Sequence, residues 1–256
     1  MKSTLLIALL FLVSALLPAQ EIQFGDSTTI QSDNAVYNGH ELQLTGSVVV
    51  ENALGKVTAE RAVLRKDDLR RSKIDFPWLE IHDNVHVQLS DGRYLNCSKV
   101  VLDYLARTGL FTCESIDKPS DAKVYYRDTL GEIYSDAIKV EFSSEETGYK
   151  PTKITLIQRV QLINRKPPKE GAEPSVQYAL ADQVDYFPGD ETMFLQAFDQ
   201  RRVLFFDQQK NMQLSAKSIR AKRDQDGQET IQGMGDVKFT FAQDELQKLK
   251  DRFHLN

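Results

Sequence analysis

The chain has 256 residues, 32 basic and 37 acidic side chains and a formal net charge of −5. That balance excludes the basic face a nucleic-acid binder needs. Hydrophobic residues make up 41% of it, β-branched ones among them in quantity, which excludes a disordered chain.

In chain order, the first element is an export signal. Met1-Lys2-Ser3-Thr4 is a short positive start, Leu5 to Leu17 is apolar, and Leu17-Pro18-Ala19 puts a small residue at the cut. This predicts a secretory signal peptide over 1–19, cleaved after Ala19. The alternative is a membrane anchor, but the run is shorter than the roughly 20 residues a spanning helix needs. Later segments carry no apolar run of that length. Cleavage removes one lysine and leaves 237 residues, with 31 basic against 37 acidic, or −6.

From residue 20 to 242 one pattern recurs, and it predicts a single repeat domain. A small residue leads into alternating apolar positions, a turn follows, and a second alternating segment returns. The leading segments begin at Ser32, Ala59, Cys97, Ser135, Ala181 and Ser215, so the six units start 27, 38, 38, 46 and 34 residues apart. Their answering segments are Leu42 to Val50, Asp83 to Val87, Leu110 to Cys113, Arg159 to Leu162, Arg202 to Phe205 and Gly235 to Phe239. Period-2 alternation gives strands with one apolar and one polar face. The small-residue-plus-Asp step, as at Ser32-Asp33, breaks the alternation and predicts a bulge or corner. Hairpins with one apolar face must stack to bury it. The expected fold is therefore all-β, an elongated β-jelly-roll or stack of hairpin repeats with roughly a dozen antiparallel strands. An exposed Pro- and charge-rich loop is expected over 164–175. The tail, 243–256, contains one helix candidate, Asp244 to Phe253, with Leu246, Leu249 and Phe253 on one face; a frayed terminus is the alternative.

Cys97 and Cys113 flank a turn expected near Tyr104 to Gly109. A hairpin there would bring them across from each other, and a bridge would stabilise by roughly 3 kcal/mol in the chain-entropy model. Two separate buried thiols are the other reading. His82 and His86 are four apart, but on a strand that separates them by about 13 Å, too far to share a metal. No P-loop, Gly-x-Ser-x-Gly or Cys-x-x-Cys motif is present. No catalytic residue, metal site or cofactor is expected, and the chain does not read as an enzyme.

The first repeat carries a resemblance. Ile30-x-Ser32-Asp33-x-Ala35-x-Tyr37-x-Gly39 followed by Leu42-x-Leu44-x-Gly46-x-Val48-x-Val50 closely resembles the OstA/LptA lipopolysaccharide-transport family, and Ala59-Glu60-Arg61-Ala62 fits it as well. The match covers about 35 residues, Ile30 to Leu64. The resemblance implies a taco-like β-jelly-roll in the periplasm whose apolar interior carries the acyl chains of lipopolysaccharide. It also implies edge-to-edge pairing with other envelope components of that system, and head-to-tail self-association. The chain departs from the family's minimal bridge protein by its greater length, which leaves open a kinship with the inner- or outer-membrane partners. Parity places Ala35, Tyr37, Leu42, Leu44, Val48, Val50, Val85, Val87, Leu102, Ile138, Val140, Val160, Leu162, Val184, Val203, Phe205, Val237 and Phe239 on the inner faces. The resemblance makes these the lipid-groove candidates; a dry core is the bland alternative. Basic clusters at Arg65/Lys66/Arg70/Arg71/Lys73 and Lys217/Arg220/Lys222/Arg223 could meet lipid A phosphates, or simply be solvated. The competing function is a structural envelope module with a dry core that binds proteins through its edges.

Overall fold

The structure is a computed structural model that describes residues 29–52, 55–69, 76–89, 92–113, 123–129, 131–145, 148–166, 175–223 and 229–240. The expected signal peptide, the tail and its candidate helix lie outside the described residues.

The described chain is a succession of strands. They are β1 (Thr29–Gln31), β2 (Asn34–Tyr37), β3 (Glu41–Asn52), β4 (Gly55–Arg65), β5 (Trp78–Leu89), β6 (Tyr94–Asp103), β7 (Thr108–Thr112), β8 (Val124–Arg127) and β9 (Gly131–Ser135). There follow β10 (Ala137–Glu145), β11 (Gly148–Lys166), β12 (Ser175–Phe187), β13 (Thr192–Gln196), β14 (Val203–Asp207), β15 (Met212–Ala216), β16 (Ser218–Arg223), β17 (Glu229–Met234) and β18 (Lys238–Thr240). A single 3-10 turn, Pro188–Asp190, joins β12 to β13. Of the loop expected over 164–175, residues 164–166 belong to β11 and Ser175 to β12, and 167–174 lie outside the described residues.

All 18 strands belong to one antiparallel sheet, and this sheet is folded along a line of corners. Six long strands, β3, β4, β5, β6, β11 and β12, cross that line, and their pairing breaks register there. The breaks fall between Thr45 and Val48, Thr58 and Arg61, His82 and Val85, and Ile157 and Val160. Elsewhere the corner splits the strand in two, as between β1 and β2, β9 and β10, β15 and β16, and β17 and β18. The result is two leaves joined at a spine. One runs β1, then the far halves of β3 and β5 alternating with the near halves of β4 and β6, then β8, β9, β11, β12, β14, β15 and β18. The other runs from β2 through the complementary halves to β7, β10, β11, β12, β13, β16 and β17. Each leaf therefore holds about a dozen strand segments. The expected dozen strands correspond to rungs, each bent into two arms.

The corners explain why the sequence alternation stumbles. On the outgoing rungs, inward side chains step by three across the corner, as from Ala59 to Ala62 and Cys97 to Val100. On the return rungs they step by four, as from Leu44 to Val48, Ile81 to Val85 and Leu156 to Val160. The extra pair on the return rungs takes left-handed backbone: Gly46 and Ser47, Asp83 and Asn84, Gln158 and Arg159, Gly235 and Asp236 all have positive φ. Asn, Asp and Gly are the residues that tolerate it best. Backbone hydrogen bonds run from corner to corner, from Asp33 N to Gly46 O (2.8 Å) and from Lys217 N to Gly235 O (3.0 Å).

Candidate functional site

The inner faces of the two leaves meet in one continuous apolar cluster, from Leu44 near the start to Ala221 near the end. Parity alone aims these residues inward, since alternate side chains of a strand point to opposite faces. The structure brings together Leu44, Val48, Val85, Ile138, Val140, Val160, Leu162, Val184, Val203 and Phe205 as buried members of that cluster. Leu42, Val50, Val87 and Leu102 pack against it half-buried. Ala35 and Tyr37 pair with Leu44 and Leu42, so they lie on the inner face at the first edge, and both are exposed. Phe239 pairs with Leu214 at the opposite edge and is 54% exposed. Val237 stands at the corner just before β18.

The cluster is not uniform along the stack. In β3 to β6, most of the inward residues farthest from the spine are half-buried, namely Leu42, Val50, Val57, Leu79, Val87, Leu89 and Leu102, while Leu64 and Leu95 in the same rows are buried. From β8 to β14 the same positions are closed, and Tyr126, Tyr186, Phe205, Ile154 and Met193 are among the largest fully buried side chains, whereas Met212 and Ile231 near the far edge are again half-buried. The outer ends of the arms, which we call lips, thus stand more open over β3 to β5 than over β8 to β14.

One lip of the closed half carries polar side chains at inward positions. Asn164, Gln177 and Asp207 are each fully buried and in register across β11, β12 and β14. Asn164 Nδ2 donates to Gln177 Oε1 (3.0 Å), and Gln177 Nε2 donates to Asp207 Oδ2 (2.7 Å). Asp207 Oδ1 also accepts from the Lys210 amide (3.1 Å). Asp128 extends the row, taking a hydrogen bond from the Gly131 amide (2.7 Å). Sequence reasoning missed this row. Its signal was one further step of the alternation, from Leu162 to Asn164 and from Phe205 to Asp207.

The outer faces carry paired polar side chains and one small apolar cluster, Ile163, Tyr178 and Phe206 with Tyr134 and Val176. Glu80 pairs with Lys99 (2.5 Å) and His82 (2.7 Å). Burial pushes its carboxyl up, but the Lys99 hydrogen bond and charge outweigh that and hold it below its ordinary value. His86 Nδ1 meets Asn96 (2.7 Å), so the two histidines have separate partners. Arg65 stacks on Trp78 (3.9 Å) and pairs with Glu41 (2.7 Å). Acid–base contacts line the spine, among them Arg159 to Asp136 (2.7 Å) and Arg201 to Asp182 (3.0 Å). A notch of about 520 Å³ opens outside the spine between Lys123, Arg159, Arg201 and Leu204. Of the two basic clusters, Arg65 and Lys66 stand at the lip of the second leaf, while Arg70, Arg71 and Lys73 lie outside the described residues. Lys217, Arg220, Lys222 and Arg223 follow the spine and β16 on outward or terminal positions.

The structure has Cys97 and Cys113 as free thiols, the first buried and the second half-buried, as in the second of the two readings. The β6–β7 register pairs Lys99 with Thr112, one residue away from setting Cys97 opposite Cys113. Burial pushes the Cys97 thiol up to about 12, with Cys113 nearby adding to the shift. Among the described residues, no group of three or more His, Cys, Asp or Glu side chains is placed to hold a metal ion.

No family model matches the chain, and no curated protein matches it. A solved structure with a similar chain path is LptH from Pseudomonas aeruginosa, described as the LptA-homologous periplasmic component of the conserved lipopolysaccharide transport device. The likeness has a TM-score of 0.42 and 8% identity, and it covers 59% of this chain and 96% of that one. Similarity at that level carries no argument about site or activity.

Proposed function

We propose that this chain is a periplasmic carrier of lipopolysaccharide that shields lipid A acyl chains between the two leaves of its folded sheet. The observation that carries the reading is the apolar inner face, continuous along the stack and standing ajar at the lips of β3 to β6. Water exposure costs roughly 0.8 kcal/mol per methylene, so an acyl chain of roughly 14 carbons needs a trough worth on the order of 10 kcal/mol. A cleft between two leaves offers such a trough, whereas a compact pocket does not. The resemblance of Ile30 to Val50 to the OstA/LptA motif supports the same reading, as does the export signal expected over 1–19. The mechanism is burial and release, with no covalent step. The edge strands β1, β2, β17 and β18 each pair with one strand only among the described residues, which suits pairing with other envelope components or with a second copy.

The second reading is a structural envelope module with a dry core, and the filled interior beyond β8 favours it. Displacement of a fluorescent fatty acyl probe from the mature chain by lipopolysaccharide separates the two. The carrier reading expects saturable displacement; a chain that never takes up the probe supports the dry module.

A further inference from the structure

We infer that the acyl-binding part of the interior is confined to the first rungs, β1 to β6, and that the rungs from β8 onward form a filled scaffold that lipid does not enter. This rests on the carrier reading and sharpens it, because a blind-ended cleft loads and unloads through its first edge, not along its whole length.

The two halves differ in what their inward positions contain. Over the first rungs the inward side chains are Leu, Val, Ile, Ala and one Cys, apart from Tyr37 at the open edge, whose hydroxyl donates to the Gly39 carbonyl (2.7 Å). Leu79, Val87 and Leu89 on β5 and Leu102 on β6 are half-buried although both are interior strands of their leaves with a neighbour on both sides; Leu95, at the other end of β6, is buried and marks where the slot closes. Edge exposure therefore does not explain the opening. At the open end, Tyr37 stands edge-on to Phe76 (6.5 Å) with the Lys66 ammonium over its ring (5.8 Å). An apolar slot with a cation at its mouth matches an acyl chain with an anionic headgroup.

The later rungs are closed by bulk and by polarity. Tyr126, Tyr186, Phe205 and Met193 fill the space between the leaves and are fully buried. Opening this half for an acyl chain would have to move those side chains out of a close-packed interior. It would also set hydrocarbon against the Asn164–Gln177–Asp207 row, whose amides and carboxylate would lose their surroundings without gaining a partner. The exposed inner residues at the far edge, such as Phe239, are separated from the open slot by this filled stretch.

The test is methyl NMR on the unmodified mature chain, with stearate bearing a doxyl spin label near its chain end as probe. The inference expects several-fold broadening at Val57, Leu79, Val87 and Leu102, with Ile154, Val184 and Met193 unbroadened at saturation. Broadening in both halves overturns the confinement and leaves the carrier reading standing. No broadening anywhere, at probe concentrations that label a known fatty-acid-binding protein, overturns both. Broadening of the later half alone overturns the inference and reverses the direction of loading.

Discussion

Cys97 points inward next to a corner, and its burial holds the thiol protonated up to about 12. The thiolate is the reactive form, so Cys97 should resist thiol reagents at neutral pH while the half-buried Cys113 reacts. Mass mapping after brief native labelling is expected to find the adduct on Cys113, with Cys97 modified only after unfolding; equal labelling would contradict the burial. The same shift has a stability consequence. The unfolded thiol ionises near 9.0 and the folded one near 12, so the folded state binds more protons between those values. Its contribution is intact below 9 and is lost as pH rises towards 12. Tyr126 and Tyr186 are shifted upward by burial as well and act in the same direction. The urea midpoint should therefore fall across that window, and Cys97→Ala should lessen the fall. Gln177 offers a separate check. Replacing it with Leu deprives buried Asn164 of an acceptor and Asp207 of a donor, a loss of about 1–3 kcal/mol. An unchanged denaturation midpoint would show that the row contributes nothing.

At the scale of elements the corner is the recurring device. Gly46 shows its tolerance most plainly: φ is +75°, and a Cβ there would meet Asp33 Oδ2 at 2.4 Å. Gly46→Ala should destabilise by about 1–2 kcal/mol from the left-handed backbone alone, and Gly46→Ala with Asp33→Ala should recover only the part due to the Asp33 carboxylate, since the Asp33 Cβ would still stand at 2.9 Å. Equal loss in single and double variants would show that the Asp33 carboxylate contributes nothing to the effect. Much of this architecture was legible in the residues. Ser32-Asp33, Ala59-Glu60, Cys97-Ser98, Ser135-Asp136 and Ala181-Asp182 each interrupt the alternation, and each lies at a corner. What could not be read was the sharing of inward positions between slot and core. Leu102 and Leu162 look alike in the sequence, but Leu102 is half-buried at an open lip and Leu162 is buried. Exposure depends on how far the leaves splay, and that is set by side chains from distant rungs such as Tyr126 and Phe205. The strand count was also hidden, because a rung bent at its corner reads as one segment or two depending on how well its pairing survives the bend.

Over the whole molecule, the folded sheet leaves strand edges at both ends of the stack. Unpaired edges invite another strand, and inward residues exposed there, Tyr37 at one end and Phe239 at the other, would be covered by it. Phe239→Pro removes a backbone donor from β18, and sedimentation of concentrated protein should show weaker self-association with folding intact. Association that survives the change would remove that edge from the interface. The central claim, that the interior holds the acyl chains of lipopolysaccharide, is most directly tested by detergent-free native mass spectrometry of the mature chain after incubation with lipopolysaccharide. The account predicts a complex heavier by one lipopolysaccharide molecule, lost when Val57→Trp and Val87→Trp fill the slot. A bare-chain mass under conditions where a fatty-acid-binding control retains its lipid would contradict it.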